Sequence, residues 1–179
     1  LYKPLLKRGW ETVALLPKAS NGDYKKLKEE GIKVITKDFR RIRRTTKLKN
    51  NLKYITDFWS NVATIKDVVQ DNNIDLIQIC GLMHVHVAFL KEDIKKPIVW
   101  QLLGTFAPYP MRLLYTPFVA NKADWVMTAG AKTAKMHPFN RSFAQKHTPF
   151  FPPVETKKFQ FKSENRKIAR DWLDLPEDA

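Results

Sequence analysis

The sequence predicts an α/β fold: a doubly wound, Rossmann-like parallel sheet. Three observations predict it. Apolar stretches of strand length alternate with amphipathic stretches of helix length. The connections between successive strands are long enough to hold a crossover helix, which parallel pairing requires. Three of the apolar stretches, Asp75–Gly81, Pro97–Gly104 and Ala123–Gly130, end on a glycine, so half of the six glycines are used this way. In an open parallel sheet ligands bind at the carboxyl edge, where strand ends and helix starts converge. Glycine there lets backbone approach a ligand or turn with positive φ. Gly81, Gly104 and Gly130 are therefore candidate site residues, and the plainer alternative for each is a tight turn.

In chain order, Leu1 to Arg8 reads as the end of a helix closed by Gly9. Thr12–Leu16 is a buried strand stopped by Pro17. Ser20–Asp23 is a turn in which Asp23 can cap a helix from Tyr24 to Glu30, and Gly31 ends that helix. Lys33–Thr36 is a second strand. Leu48, Leu52, Ile55, Trp59, Val62, Ile65 and Val69 recur at spacings of three and four, one face of a long helix ending near Asn72 and Asn73. The strand ending at Gly81 follows, with Cys80 inside it, then a helix over His84–Glu92. After the strand ending at Gly104, Pro108 and Pro110 bracket a turn before a helix over Met111–Asn121. After the strand ending at Gly130 comes a helix over Lys132–Met136. Pro149–Val154 is extended, and Glu164–Leu173 is a last helix. Trp100 and Trp125 alternate with core residues and read as packing, whereas Trp10 follows a helix-ending glycine and reads as partly exposed.

A chain of 179 residues with 44% hydrophobic residues is globular and large enough for a core. No apolar run approaches the roughly 20 residues that span a bilayer, and the basic start is too short for a signal peptide. The lone cysteine, Cys80, fits a reducing compartment. Lys and Arg number 32 against 18 Asp and Glu, a formal +14, which favours anionic partners. From Lys37 to Lys53 eight Lys or Arg face one Asp, a net of +7, half of the total. Three readings of this stretch stand: a solvated loop, a nucleic-acid patch, or a membrane-surface patch in which Arg40, Arg41, Arg43 and Arg44 meet anionic lipid. No reader motif accompanies the charge, so nucleic acid is not expected.

Among chemistry-bearing residues, His84 and His86 follow Gly81. At i and i+2 they point apart on a strand, and no third ligand lies nearby, so no metal is expected. His84 reads instead as a polar contact at the strand edge. Thr105, just past a strand end, suits a hydroxylated ligand. Arg112 opens the next helix, where a guanidinium and free N–H groups suit phosphate. There is no defensible Ser-His-Asp order, no phosphate-binding P-loop and no G-x-G-x-x-G dinucleotide loop.

Seven segments, in order, resemble the N-terminal domain of GT-B fold glycosyltransferases, and specifically glycosyltransferase family 4. LLKRGWETVALLPK is similar to that family's L…RGHEV opening, and LKEEGIKV to its L…GI-V segment. NNIDLIQICG resembles DIIHIHG, KKPIVWQLLGT resembles PVV…HGT, and KADWVMTAG resembles AD-V-I-T-S. PPVETKKF is similar to P-x-VDT-x-x-F, and WLDLPEDA to the LGLP-x-DA run before the second domain. Leu103 stands where the family has His, and many members have His where this chain has Gln78 and Cys80.

The resemblance implies a Rossmann-like, acceptor-side domain over residues 1–160 and a linker helix over 161–179. It implies a first strand upstream of Leu1, a nucleotide-sugar domain downstream of Ala179, and little stability or activity for the 179 residues alone. The implied reaction is transfer of a sugar from a nucleotide-sugar donor, with retention, to a glycan or lipid-linked acceptor, with no cofactor and no metal. Gly81, His84, Gly104, Thr105, Arg112 and Gly130 would meet the acceptor. Some members dock through basic surface on this domain, which places the protein in the cytoplasm or peripherally at the inner membrane face. The residues alone leave a second class open: a non-enzymatic basic α/β module that binds anionic membrane or nucleic acid.

Overall fold

A computed structural model describes residues 2–18, 24–38, 49–82, 84–105, 107–151 and 163–176. The turn around Ser20–Asp23 and Arg40, Arg41, Arg43 and Arg44 lie outside them.

Among the described residues six strands form two parallel sheets. In the first, β1 (Val13–Pro17) pairs with β2 (Lys33–Lys37). The second has the order β3 (Ile77–Cys80), β4 (Ile98–Leu102), β5 (Trp125–Ala129), β6 (His147–Phe150). Its register sets Cys80 against Gln101 and Leu102 against Thr128. The helices are α1 (Tyr2–Leu6), α2 (Lys25–Glu29), α3 (Lys49–Thr56), α4 (Phe58–Asp71), α5 (Lys91–Ile94), α6 (Tyr109–Lys122), α7 (Gly130–Lys135) and α8 (Ser163–Trp172).

Local sequence explains the helix ends. After α1 the Trp10 N–H donates to the Leu5 carbonyl and the Gly9 N–H to Leu6, with Gly9 at φ +79°. That is a Schellman ending, and it recurs at Gly31 and, with Asn73 at φ 48°, after α4. The helix expected over His84–Glu92 is instead a 3-10 segment, Val85–Leu90, followed by the short α5. The single long helix expected over Leu48–Val69 is two, meeting at Asp57. Thr56 Oγ1 donates to the Lys53 carbonyl at 3.1 Å and to Asp57 Oδ1 at 3.1 Å, the local bonding by which Thr competes with a helix.

The break divides the apolar stripe. Val62, Ile65 and Val69 on α4 are buried, but Leu52, Ile55 and Trp59 are 60%, 68% and 66% exposed. Strand alternation decides the core likewise. Ile77, Ile79, Ile98, Trp100, Leu102 and Val126 are buried in one cluster with α4, the 3-10 segment and α6. Cys80 is exposed, not interior as its apolar neighbours suggested. Its neighbour Gln78 donates through Nε2 to Gln101 Oε1 at 2.7 Å on the same sheet face. Trp125 is 42% exposed, with Nε1–H donating to Thr148 Oγ1 at 3.0 Å, so it does not belong to the core. No helix among the described residues is long and apolar enough to cross a membrane.

Candidate functional site

Because β3, β4 and β5 are adjacent and parallel, their carboxyl ends lie along one edge. Gly81, Gly104 and Gly130 follow them there. The three glycines do different work. Gly81 has φ +74°, and a Cβ added to it would meet nothing within 4 Å. Its N–H donates to the Gln101 carbonyl at 2.7 Å, and its own carbonyl accepts the Trp100 indole N–H at 2.8 Å. The turn is therefore anchored from the core and open on its outer side. Gly130, at φ +80°, opens α7; its carbonyl accepts from Thr128 Oγ1 at 2.9 Å, and the Phe151 ring lies 4.0 Å from its Cβ position. Among the described residues the left-handed glycines are Gly9, Gly31, Gly81 and Gly130. Positive φ therefore does not explain Gly104, for which a turn and a close approach both stand.

His84 is half-buried behind Gly81, its ring 6.0 Å from that of His86. His86 is buried, and its Nδ1 meets the Tyr54 hydroxyl at 3.0 Å. Burial, with a smaller contribution from the neighbouring His84, pushes the His86 pKa down to about 4. The neutral ring is thus the structural form, hydrogen-bonded through Nδ1 to the Tyr54 hydroxyl. No cluster of three or more His, Cys, Asp or Glu able to hold a metal occurs among the described residues.

Thr105 is half-buried at the end of the β4 loop. Arg112 lies in the first turn of α6. Its guanidinium donates to the Met136 carbonyl at 2.5 Å and sits 5.5 Å from the centre of the Tyr109 ring. It ties α6 to the end of α7. Beside it lies His137, fully buried, which the sequence pattern did not single out. Burial lowers the His137 pKa and the Arg112 charge lowers it again, while the nearby Gly104 backbone raises it. No contact of either ring nitrogen meets hydrogen-bond geometry. The edge therefore holds two groups, Gly81 with His84, and Gly104 with Arg112 and His137. Nothing in local sequence marks His137, which the turn after α7 carries back over the β4 end.

A second concavity is lined by residues of α3, α4, the 3-10 segment and α6. Tyr54, Phe58, Trp59, Phe89, Leu114 and Phe118 are among the residues lining an apolar groove of about 490 Å³. Its rings form a chain of contacts, Phe58–Phe89 at 5.1 Å, Trp59–Phe89 at 5.8 Å and Phe89–Phe118 at 4.9 Å.

No family model matches the chain, and no curated protein matches it in sequence. Solved structures do match it in fold. Anabaena HepE in complex with UDP aligns with a TM-score of 0.63 at 14% identity, over 90% of this chain and 42% of HepE. A glycosyltransferase from Rickettsia africae aligns with a TM-score of 0.66 at 12% identity, over 99% of this chain and 45% of the other. CalG4, the calicheamicin glycosyltransferase, aligns with a TM-score of 0.54 at 11% identity, over 84% and 47%. The chain spans less than half the length of each. It has the α/β fold expected of one half of a GT-B glycosyltransferase.

Proposed function

We propose that this chain is the acceptor-binding half of a retaining glycosyltransferase. A sugar would pass from a nucleotide-sugar donor, held by a second domain, to a glycan or lipid-linked acceptor. The observation that carries the reading is the carboxyl edge, where Gly81, Gly104 and Gly130 stand side by side on a fold shared with glycosyltransferases. Among those neighbours, HepE has been solved with UDP and with UDP-glucose, which supports a nucleotide sugar as co-substrate. Gly81 leaves open space above its turn, and His84 and Thr105 would offer polar contacts to acceptor hydroxyls. Arg112 and His137 would stiffen the Gly104 loop that the acceptor approaches. The reaction would need no cofactor and no metal. Charge on the departing diphosphate would be met by basic residues and a helix N-terminus of the donor domain.

The test is turnover of UDP-sugars by the full-length polypeptide, with the anomeric configuration of the product read by NMR. Gly104→Val should abolish turnover while circular dichroism stays unchanged. Wild-type turnover in a folded Gly104→Val protein would remove this loop from the site.

The exposed aromatic groove favours a second element of the reading, peripheral attachment to an anionic membrane. Ile55 and Trp59 are exposed on α3, which begins within the +7 stretch, and on α4, which follows it. Trp prefers the membrane interface, and each nearby Lys or Arg adds about 1 kcal/mol on anionic lipid. Replacing Arg40, Arg41, Arg43 and Arg44 by Gln should weaken binding to anionic liposomes by several kcal/mol at low salt, and by less as salt shortens the Debye length. Equal binding by wild type and variant would return the stretch to a solvated loop. A steep salt dependence on RNA, without lipid binding, would favour the non-enzymatic nucleic-acid module instead.

A further inference from the structure

Buried polar atoms without a hydrogen-bond partner are rare in native proteins, and each asks for an explanation. The start of α6 gathers several. Arg112 Nε, Thr116 Oγ1 and both ring nitrogens of His137 are buried and lack a partner. Thr116 follows Arg112 by one turn on the same face of α6. Thr116 is 0% exposed and His137 1%. His137 comes directly after Met136, whose carbonyl accepts from the Arg112 guanidinium at 2.5 Å. Its ring lies close to both the Arg112 charge and the Gly104 backbone.

The helix end itself is open. Arg112 N–H donates to the Pro108 carbonyl at 3.0 Å, no side chain caps the helix, and Pro110 has no N–H. The N–H groups of Tyr109 and Met111 are thus left at the positive end of a 14-residue helix. Among the described residues no carboxylate pairs with Arg112. The cluster is therefore rich in donors and poor in negative charge: a guanidinium, two backbone N–H groups, an imidazole and a hydroxyl. An oxyanion completes such a set, since it accepts several hydrogen bonds at once and offsets the guanidinium charge. A neutral sugar hydroxyl would offset none of it.

We propose that the start of α6 is a phosphate subsite, and that the acceptor carries a phosphate group that docks there. The phosphate oxygens would accept from the Arg112 guanidinium and from the Tyr109 and Met111 N–H groups, with His137 as the polar wall behind them. Donors that arrive from a helix start and from a side chain, rather than from one planar fork, suit a tetrahedral phosphate. The subsite adjoins the Gly104 end of the candidate edge, so it would anchor the acceptor by its charged end beside that loop. The same chemistry is offered by free phosphate and by the diphosphate of a nucleotide sugar. The assignment to the acceptor rests on the transfer reading above; the subsite does not.

The experiment titrates inorganic phosphate into the full-length polypeptide at constant ionic strength and follows the His137 ring by NMR, with the His86 ring as internal reference. The expected result is a saturable shift of His137, with phosphate affinity about tenfold weaker in Arg112→Gln and partly kept in Arg112→Lys. Lys122→Gln, which removes a charge at the far end of α6, should bind as wild type does. Should Arg112→Gln lose its helical circular dichroism, Arg112→Lys against Lys122→Gln carries the comparison. Saturating UDP should leave phosphate on the subsite, which separates an acceptor phosphate from the donor diphosphate. No saturable shift in wild type, or equal affinity in wild type and the Arg112 variants, would overturn the subsite. Displacement of phosphate by UDP would overturn its assignment to the acceptor. The readout is binding and not turnover, so the subsite and the transfer reading can fail separately.

Discussion

The β1–β2 sheet and the β3–β6 sheet are built from similar material and are buried very differently. Val13-Ala-Leu-Leu16 is the more continuously apolar strand, yet each of its residues is only half-buried. β3 and β4 carry Gln78, Cys80 and Gln101, yet Ile79, Ile98, Trp100 and Leu102 are almost fully buried. Apolar sequence alone does not bury a strand. Burial comes from a covered face: β3, like β1, has a neighbour on one edge only, yet its Ile79 lies in the core cluster that holds Val62, Ile65 and Val69 of α4.

The largest expected effect tests that difference directly. Trp100→Ala removes a fully buried ring and its bond to the Gly81 carbonyl, and should cost about 3–5 kcal/mol in urea unfolding. Leu15→Ala, in the half-buried sheet, should cost about 1 kcal/mol, well below the range for buried leucines. Equal costs would erase the contrast between the two sheets.

Acid should separate the two sheets next. The His86 pKa lies near 4 in the folded protein against an ordinary histidine value of 6.5. The unfolded chain therefore binds the extra proton first, and stability falls as pH drops from 6.5 towards 4 and is flat above and below. At about 1.4 kcal/mol per unit the loss is about 3 kcal/mol. The lowered His137 pKa pulls the same way. No histidine lies in the β1–β2 segment. Exchange followed at pH 4 and 7 should show the β3–β6 amides losing protection selectively, and His86→Leu should flatten the profile. A wild-type stability independent of pH over this window would contradict the buried, neutral imidazole.

The smallest effect sharpens the comparison by its sameness. Gly9 and Gly81 have φ of +79° and +74°, and a Cβ on either meets nothing within 4 Å. Gly9→Ala and Gly81→Ala should therefore each cost only the left-handed backbone penalty, about 1–2 kcal/mol. Thermal melts that rank the two far apart would show that packing, rather than local conformation, dominates one of these turns.

Much of the candidate edge was legible before any coordinates. Gly81, Gly104 and Gly130 could be aligned because apolar runs ending in glycine imply strand ends, and parallel order puts such ends on one side. Arg112 was placed correctly at the start of its helix, but its bond to the Met136 carbonyl was invisible. That bond joins residues 24 apart, and no periodicity reports such a pairing. His137 escaped for the same reason. The helical stripe from Leu52 to Val69 misled, since spacing reports a helix face and says nothing of whether another element covers it.

By itself the sequence determined the strand and helix order, the Schellman endings at Gly9 and Gly31, the parallel class and the strong positive charge. These follow from interactions within a few residues or from composition. Only the tertiary structure decided which apolar residues are covered, that Gln78 and Cys80 stand on the open side of their sheet, and that β1 and β3 fall in different sheets. Those outcomes depend on which distant elements arrive beside a strand, and the free energy of burying a side chain or pairing a backbone group is set by that arrival.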